Sequence, residues 1–288
     1  MTTTVRLTAA DGVELVADIA GDESDPTVLL FHGGGQTRHS WGSAMRDLVA
    51  RGFHVASVDL RGHGDSDWSP DGDYGAAVFP DDVAAVARQF DRPALVGASL
   101  GGTSSLMAIH RSRPDVIARA LVLVDVAPNI EPTGVDRIRS FMHEHMHSGF
   151  ASLDEVADAV AAYNPHRPRP SNLDGLKKNV RLSDDGRWYW HWDPAFMWGK
   201  HEQSDETRII EFDARAEALE DAARALEMPT LLVRGRQSDL LSEEGAAKFL
   251  GFVPHAEFAD VAGAGHMVAG DANDAFNDAV VAFLQKTV

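Results

Sequence analysis

Apolar and polar residues alternate over 4–8 and again over 13–19, on either side of Asp11-Gly12. Period-two alternation around an Asp-Gly pair predicts an antiparallel hairpin with one buried face. From residue 27 the pattern changes to short, mostly apolar runs: Thr27-Val-Leu-Leu-Phe31, His54-Val-Ala-Ser-Val-Asp59, Pro93-Ala-Leu-Val-Gly97 and Ala118-Arg-Ala-Leu-Val-Leu-Val-Asp125. Such runs predict strands covered on both faces. Helical patterns separate them at 41–50, with Ser40 as the cap, at 81–90 after Pro80, and from Gly102 to His110. The same alternation returns near the end, with strands at 230–233 and 256–261 and helices at 243–252 and 271–285. Strands and helices in turn predict an α/β fold with a mostly parallel sheet.

The rhythm breaks between about 129 and 212. This segment has little strand pattern, helical stretches at 135–147, 152–163 and 172–182, a proline-rich link at 164–170, and the aromatic run Trp188-Tyr-Trp-His-Trp192. It reads as an inserted helical cap, 129–212, in a core domain made of 1–128 and 213–288. A helix at 213–227 leads back into the core.

Composition narrows the class. The chain has 288 residues, 44% of them hydrophobic, enough for one large domain with an insertion. A net charge of −18 disfavours nucleic-acid backbones and anionic membrane surfaces and suits a neutral or cationic small-molecule ligand. With no cysteine, disulfides, zinc-thiolate sites and a cysteine nucleophile are excluded. No apolar run is long enough to span a membrane, and the N-terminal residues lack a signal-peptide pattern, so a cytoplasmic protein is expected.

The candidate chemistry centres on Leu95-Val-Gly97-Ala-Ser99-Leu-Gly101-Gly102. Gly-x-Ser-x-Gly between a buried strand and a helix forces the serine into a strained turn that lifts its hydroxyl clear of the sheet. A serine nucleophile needs a base, and the base needs a carboxylate. Asp239, in Gly235-Arg-Gln-Ser-Asp239, and His266, in Val261-Ala-Gly-Ala-Gly-His266, each follow a buried strand. The expected triad is therefore Ser99, Asp239 and His266. Asp125 also follows a buried strand and is the alternative acid. His32-Gly33-Gly34-Gly35 lets bare backbone approach a substrate, so the Gly34 and Leu100 N–H groups are the expected oxyanion hole. His32 and His63 read as structural.

These positions together resemble the α/β-hydrolase family over nearly the whole chain: His32 to Gly35, Asp59 to Ser66, Gly97 to Gly101, Asp239 and His266. The resemblance implies an eight-stranded sheet with helices on both faces and a helical cap between its sixth and seventh strands. It also separates branches. Dehalogenases and epoxide hydrolases of this fold carry aspartate at the elbow, where this chain has Ser99. Cofactor-free haloperoxidases usually have proline close after the His-Gly, where this chain has Gly35 and Gln36. C–C hydrolases often have asparagine at the position of Ala98. The expectation is a serine esterase working through an acyl-enzyme, with no cofactor and no metal. The alternatives are a perhydrolase-like enzyme, a C–C bond hydrolase, or a non-catalytic receptor for a small molecule.

Within the cap, Trp188, Trp190, Trp192 and Phe141 are the candidate substrate-binding residues and imply a small, largely apolar substrate. Packing of the cap onto the core is the competing role for the tryptophans. His143, His145 and His147 are suggestive of metal binding if helical, but a solvated helix face explains them as well.

Overall fold

β1 (Thr3–Thr8) and β2 (Glu14–Ala20) form the expected antiparallel hairpin, with Leu7 opposite Leu15 and Val5 opposite Ala17. The structure, a computed structural model, describes residues 1–163, 169, 172–198, 205–262 and 274–288, with no side-chain detail at 205–211, 274 and 275.

β3 (Thr27–Phe31), β4 (His54–Val58), β5 (Ala94–Ala98) and β6 (Ala120–Val124) are buried at every position, as their apolar runs predict. With β9 (Thr230–Gly235) and β10 (Glu257–Val261) they complete an eight-stranded sheet ordered β1-β2-β4-β3-β5-β6-β9-β10. The β1–β2 and β2–β4 pairings are antiparallel and the others parallel. Alternate residues of each strand face opposite sides. Leu29, Phe31, Leu95 and Leu121 join one core cluster, while Val28, Leu30, Val96 and Val122 join the other.

The first cluster is covered by α2 (Val78–Ala87), α3 (Leu100–Ser112), α7 (Asp205–Arg224) and α8 (Glu243–Phe252). The second is covered by α1 (Gly42–Ala50) and α9 (Asp274–Thr287), where Trp41, Met45 and Leu48 meet Phe276, Val280 and Leu284. Ser40 does not cap α1; it lies in a 3-10 turn, Arg38–Trp41, that precedes the helix. α2 starts three residues before the expected 81, because Pro80 sits in its first turn, where a missing N–H does no harm.

The 129–212 segment is less helical than its pattern suggests. α4 (Pro132–His143) and α5 (Leu153–Tyr163) fall near the expected helices. The expected helix at 172–182 is instead a 3-10 turn, Asp174–Lys178, and a strand, β7 (Val180–Leu182), paired with β8 (Trp188–Trp190). α6 (Ala195–Trp198) follows. The apolar spacing of 172–182 fits both periods; pairing with the aromatic strand selects the extended one. These elements share a cluster of their own around Met142, Met146, Phe150, Trp190 and Trp192. α7 runs through the expected cap boundary at 212 without a break. Among the described residues no helix is long and apolar enough to cross a membrane.

Candidate active site

The ends of four neighbouring parallel strands carry the site. Ser99 follows β5 with φ +46° and ψ −111°, in a region a non-glycine residue enters only under strain. Its neighbours must be glycine. A Cβ on Gly97 would lie 2.4 Å from Gly101 backbone, one on Gly101 2.4 Å from the Phe31 carbonyl oxygen, and one on Gly102 2.6 Å from Val126 Cγ1. Gly101→Ala is therefore expected to lower stability by about 1–3 kcal/mol, because β3 cannot withdraw from its two partners. Urea unfolding checks this; an unchanged midpoint would show that the elbow can open without loss.

The loop after β3 runs alongside Ser99. A Cβ on Gly33 would sit 3.4 Å from Ser99 Cβ, and one on Gly34 3.9 Å from Leu100 Cδ2. Within this loop the Gly33 N–H donates to Gln36 Oε1 (3.1 Å) and the Gly35 N–H to His63 Nε2 (3.1 Å). Among the described residues, the Gly34 and Leu100 N–H groups donate to no acceptor. These are the two donors that the sequence assigns to the oxyanion hole.

His32 and His63 hold this loop. Both are fully buried. His32 donates from Nδ1 to the Gly33 carbonyl (2.8 Å) and accepts the Leu60 N–H at Nε2 (2.9 Å). His63 donates from Nδ1 to the Arg61 carbonyl (2.9 Å). Each bonding pattern requires a neutral imidazole, and burial pushes the pKa down to about 4 for His32 and about 3 for His63. Burial also lowers His39 and His191. The Asp59-to-Ser66 loop beneath is tied by the ion pairs of two buried arginines. Arg38 joins Asp59 and Asp65, and Arg61 binds Asp82 (2.6 Å) and Asp11 (2.6 Å).

Depressed histidine pKa values make stability depend on pH. Above pH 6.5 these imidazoles are neutral in both states and their contribution is complete. As pH falls from 6.5 toward 4, the unfolded chain takes up protons that the native state refuses, and stability drops. Across two pH units each fully shifted group accounts for up to about 2.7 kcal/mol. The urea midpoint is expected to be clearly lower at pH 4.5 than at pH 7.5; equal midpoints would contradict the neutral assignment.

The two candidate acids lie in different surroundings. Asp125, immediately after β6, is 1% exposed and has φ +51°. Its Oδ1 accepts the Gly235 N–H (3.0 Å) and its Oδ2 the Ser238 hydroxyl (2.6 Å). The residue before it, Val124, accepts the Ser99 N–H through its carbonyl (3.2 Å), which places Asp125 beside the nucleophile strand. Asp239 lies farther along the loop after β9. Its carboxylate pairs with Arg137 of α4 (2.7 Å) and its side chain is 34% exposed. Arg137 also donates to the Tyr163 carbonyl and lies over the Tyr163 ring, 5.1 Å from its centre. Asp239 thus faces an anchor of the cap. His266 falls in 263–273, outside the described residues.

The aromatic candidates pack mainly within the cap. Trp190 lies against Phe141 (5.3 Å between ring centres) and Phe150 (5.0 Å). Phe141 stacks on Tyr163 at 4.3 Å. Trp188 exchanges backbone hydrogen bonds with Phe150. Trp192 is 3% exposed, and the residues flanking it bond to Gly62 and Gly64, joining the cap to the core. Trp190 and Trp192 also border a groove of about 390 Å³ with Trp68, Arg181 and Tyr189; Ser99, Gly34 and Leu100 are not part of its lining.

Two further cap residues reach the oxyanion loop. Phe196 of α6 comes within 3.3 Å of a Cβ position on Gly34 and packs edge-on against His63 (4.9 Å). Met142 of α4 comes within 2.9 Å of a Cβ position on Gly35. Adjacent on α4, Phe141 and Met142 both pack into the cap cluster. α4 ends at His143 and His145 has φ +62°, so His143 and His147 do not share a helix face. Among the described residues no group of three side chains could hold a metal ion.

A glycine-lined loop facing a strained serine at the carboxyl ends of adjacent parallel strands places the chain in a known class. It belongs to the α/β hydrolase fold family, whose pattern matches residues 26–272. Its relatives include esterases and other hydrolases. The chain is 32% identical over 233 residues to Esterase Rv0045c of Mycobacterium tuberculosis, covering 78% of this chain and 71% of that protein. It is 31% identical to 2-(acetamidomethylene)succinate hydrolase of Mesorhizobium japonicum, covering 85% and 83%. A solved structure of E-2-(acetamidomethylene)succinate hydrolase superposes with a TM-score of 0.82 at 26% identity, over 99% of this chain and all of that one.

Proposed function

We propose that the protein is a serine hydrolase that cleaves a small carboxylic ester through an acyl-enzyme. The observation that carries this reading is the geometry at Ser99: a hydroxyl on a strained turn, with the unengaged Gly34 and Leu100 N–H groups beside it. Similarity to esterases and hydrolases supports it further.

In this reading Ser99 Oγ attacks the ester carbonyl. His266, assigned from its place in the chain, takes the hydroxyl proton and passes it to the departing alcohol. The oxyanion accepts hydrogen bonds from Gly34 and Leu100. Water, deprotonated by His266, then attacks the acyl-enzyme and releases the acid. The carboxylate role expected of Asp239 passes to Asp125. Burial, fixed hydrogen bonds and adjacency to the Ser99 strand favour Asp125, whereas Asp239 is engaged by Arg137. Asp125 would hold the His266 tautomer and stabilise the imidazolium. Met142 and Phe196, beside the oxyanion loop, form an apolar wall for the substrate; Trp188, Trp190, Trp192 and Phe141 support that wall from within the cap.

The test is covalent labelling. A fluorophosphonate probe should modify Ser99, identified by peptide mass spectrometry, and block hydrolysis of p-nitrophenyl esters. Labelling at another residue, or undiminished turnover after Ser99 is labelled, overturns the mechanism.

A further inference from the structure

The arginines that are buried among the described residues, Arg38, Arg61 and Arg234, are neutralised. Arg38 meets Asp59 and Asp65, Arg61 meets Asp11 and Asp82, and Arg234 meets Asp260 and Glu243. That is the general rule for a cation removed from water. Arg215 of α7 is exposed and is not balanced in this way. Its guanidinium donates to Thr103 Oγ1 (3.2 Å), and among the described residues no carboxylate reaches it. The residue keeps accessible surface, yet protein crowds its guanidinium closely enough to lower its pKa.

That contact with Thr103 places Arg215 near Ser99. Thr103 lies one helical turn after the nucleophile, and its N–H donates to the Ser99 carbonyl (3.0 Å). Four residues of helix advance about 6 Å. Thr103 also shares a face of α3 with Leu100, whose Cδ2 approaches the Gly34 position. A guanidinium on Thr103 therefore stands within a short acyl chain's length of the scissile carbonyl.

We infer that Arg215, steadied by Thr103, binds a carboxylate on the substrate's acyl part, so that the preferred ester is a half-ester of a short dicarboxylic acid. The guanidinium fork matches the two oxygens of a carboxylate. A monoanion balances the one unpaired charge, whereas a phosphate dianion would leave a charge uncompensated. The overall charge of −18 gives no long-range help to an anion, so selectivity must come from this one contact. The inference rests on the serine-hydrolase reading for its position, and refines the expected apolar substrate to an apolar spacer with an anionic end.

The experiment compares two esters with acyl chains of equal carbon number, mono-p-nitrophenyl glutarate and p-nitrophenyl valerate. Wild type should show a higher kcat/KM for the glutarate ester, and in Arg215→Met the glutarate-to-valerate ratio should fall ten- to a hundredfold, chiefly through KM. Arg215→Lys should recover part of that ratio. Calorimetric binding of glutarate to Ser99→Ala, lost in Ser99→Ala/Arg215→Met, supplies a readout that needs no turnover. A ratio unchanged by Arg215→Met, or equal glutarate binding with and without Arg215, overturns the carboxylate site while leaving ester hydrolysis standing. If glutarate binds through Arg215 but neither ester is turned over, the carboxylate site stands and the hydrolase reading falls.

Discussion

Ser99→Ala is expected to lower kcat for p-nitrophenyl esters by about 10⁶-fold, the loss seen when a serine nucleophile is removed from a working triad. The residual rate, still about 10³–10⁴ above the uncatalysed one, would come from the oxyanion donors and from substrate binding. KM should change little, because the alanine removes one oxygen and no wall of the site. The fold should persist: Ser99 adopts its strained φ because Gly97, Gly101 and Gly102 let strand, turn and helix close on one another. Steady-state kinetics with a melting curve on the same sample measure both quantities. Loss of less than tenfold in kcat would exclude Ser99 as the nucleophile.

Asp125→Asn is expected to cost up to about 10⁴-fold in kcat, while Asp239→Asn costs less than about tenfold. The asparagine keeps the shape of Asp125 and can still accept the Gly235 N–H, so the loop after β9 should stay in place. It would offer His266 the wrong hydrogen-bonding partner much of the time, which leaves the base in the unproductive tautomer. Asp239→Asn instead weakens a partly exposed pair with Arg137, worth about 0–1 kcal/mol. Its effect should appear in the cap, as a change in KM. Kinetics of both variants on one ester decide the matter. A large fall in kcat for Asp239→Asn with near-normal Asp125→Asn would return the acid to the loop position expected from sequence.

The parts of the site that can be read along the chain are those made by neighbours in sequence. Gly97-Ala-Ser99-Leu-Gly101 becomes an elbow because one strand ends and one helix begins within those residues, and no distant partner is needed to specify it. The same holds for His32-Gly33-Gly34-Gly35, whose backbone donors are defined by the absence of side chains. The structural roles of His32 and His63 were legible too, since a turn-rich loop needs internal acceptors and donors. Choosing between Asp125 and Asp239 was different in kind. Both follow buried strands, and one-dimensional order cannot say which carboxylate turns inward and which meets an arginine from an inserted segment.

The apolar runs at 27–31, 54–58, 94–98 and 120–124 determined by themselves that a parallel sheet would be buried on both faces, because each residue's tendency to leave water is local and the runs are too short for helices. Only tertiary structure decided the rest. The 172–182 stretch became strand because β8 offered it a hydrogen-bonded edge. Phe196 and Met142 reached the oxyanion loop, while Trp190 packs on Phe150 and the backbone on either side of Trp192 bonds to Gly62 and Gly64. Arg215 came to stand unpaired beside Thr103, 112 residues away in sequence, because α7 crosses α3 where no acid faces it among the described residues. Hydrophobic patterning selects which surfaces are buried; which polar group ends beside which depends on how those surfaces dock.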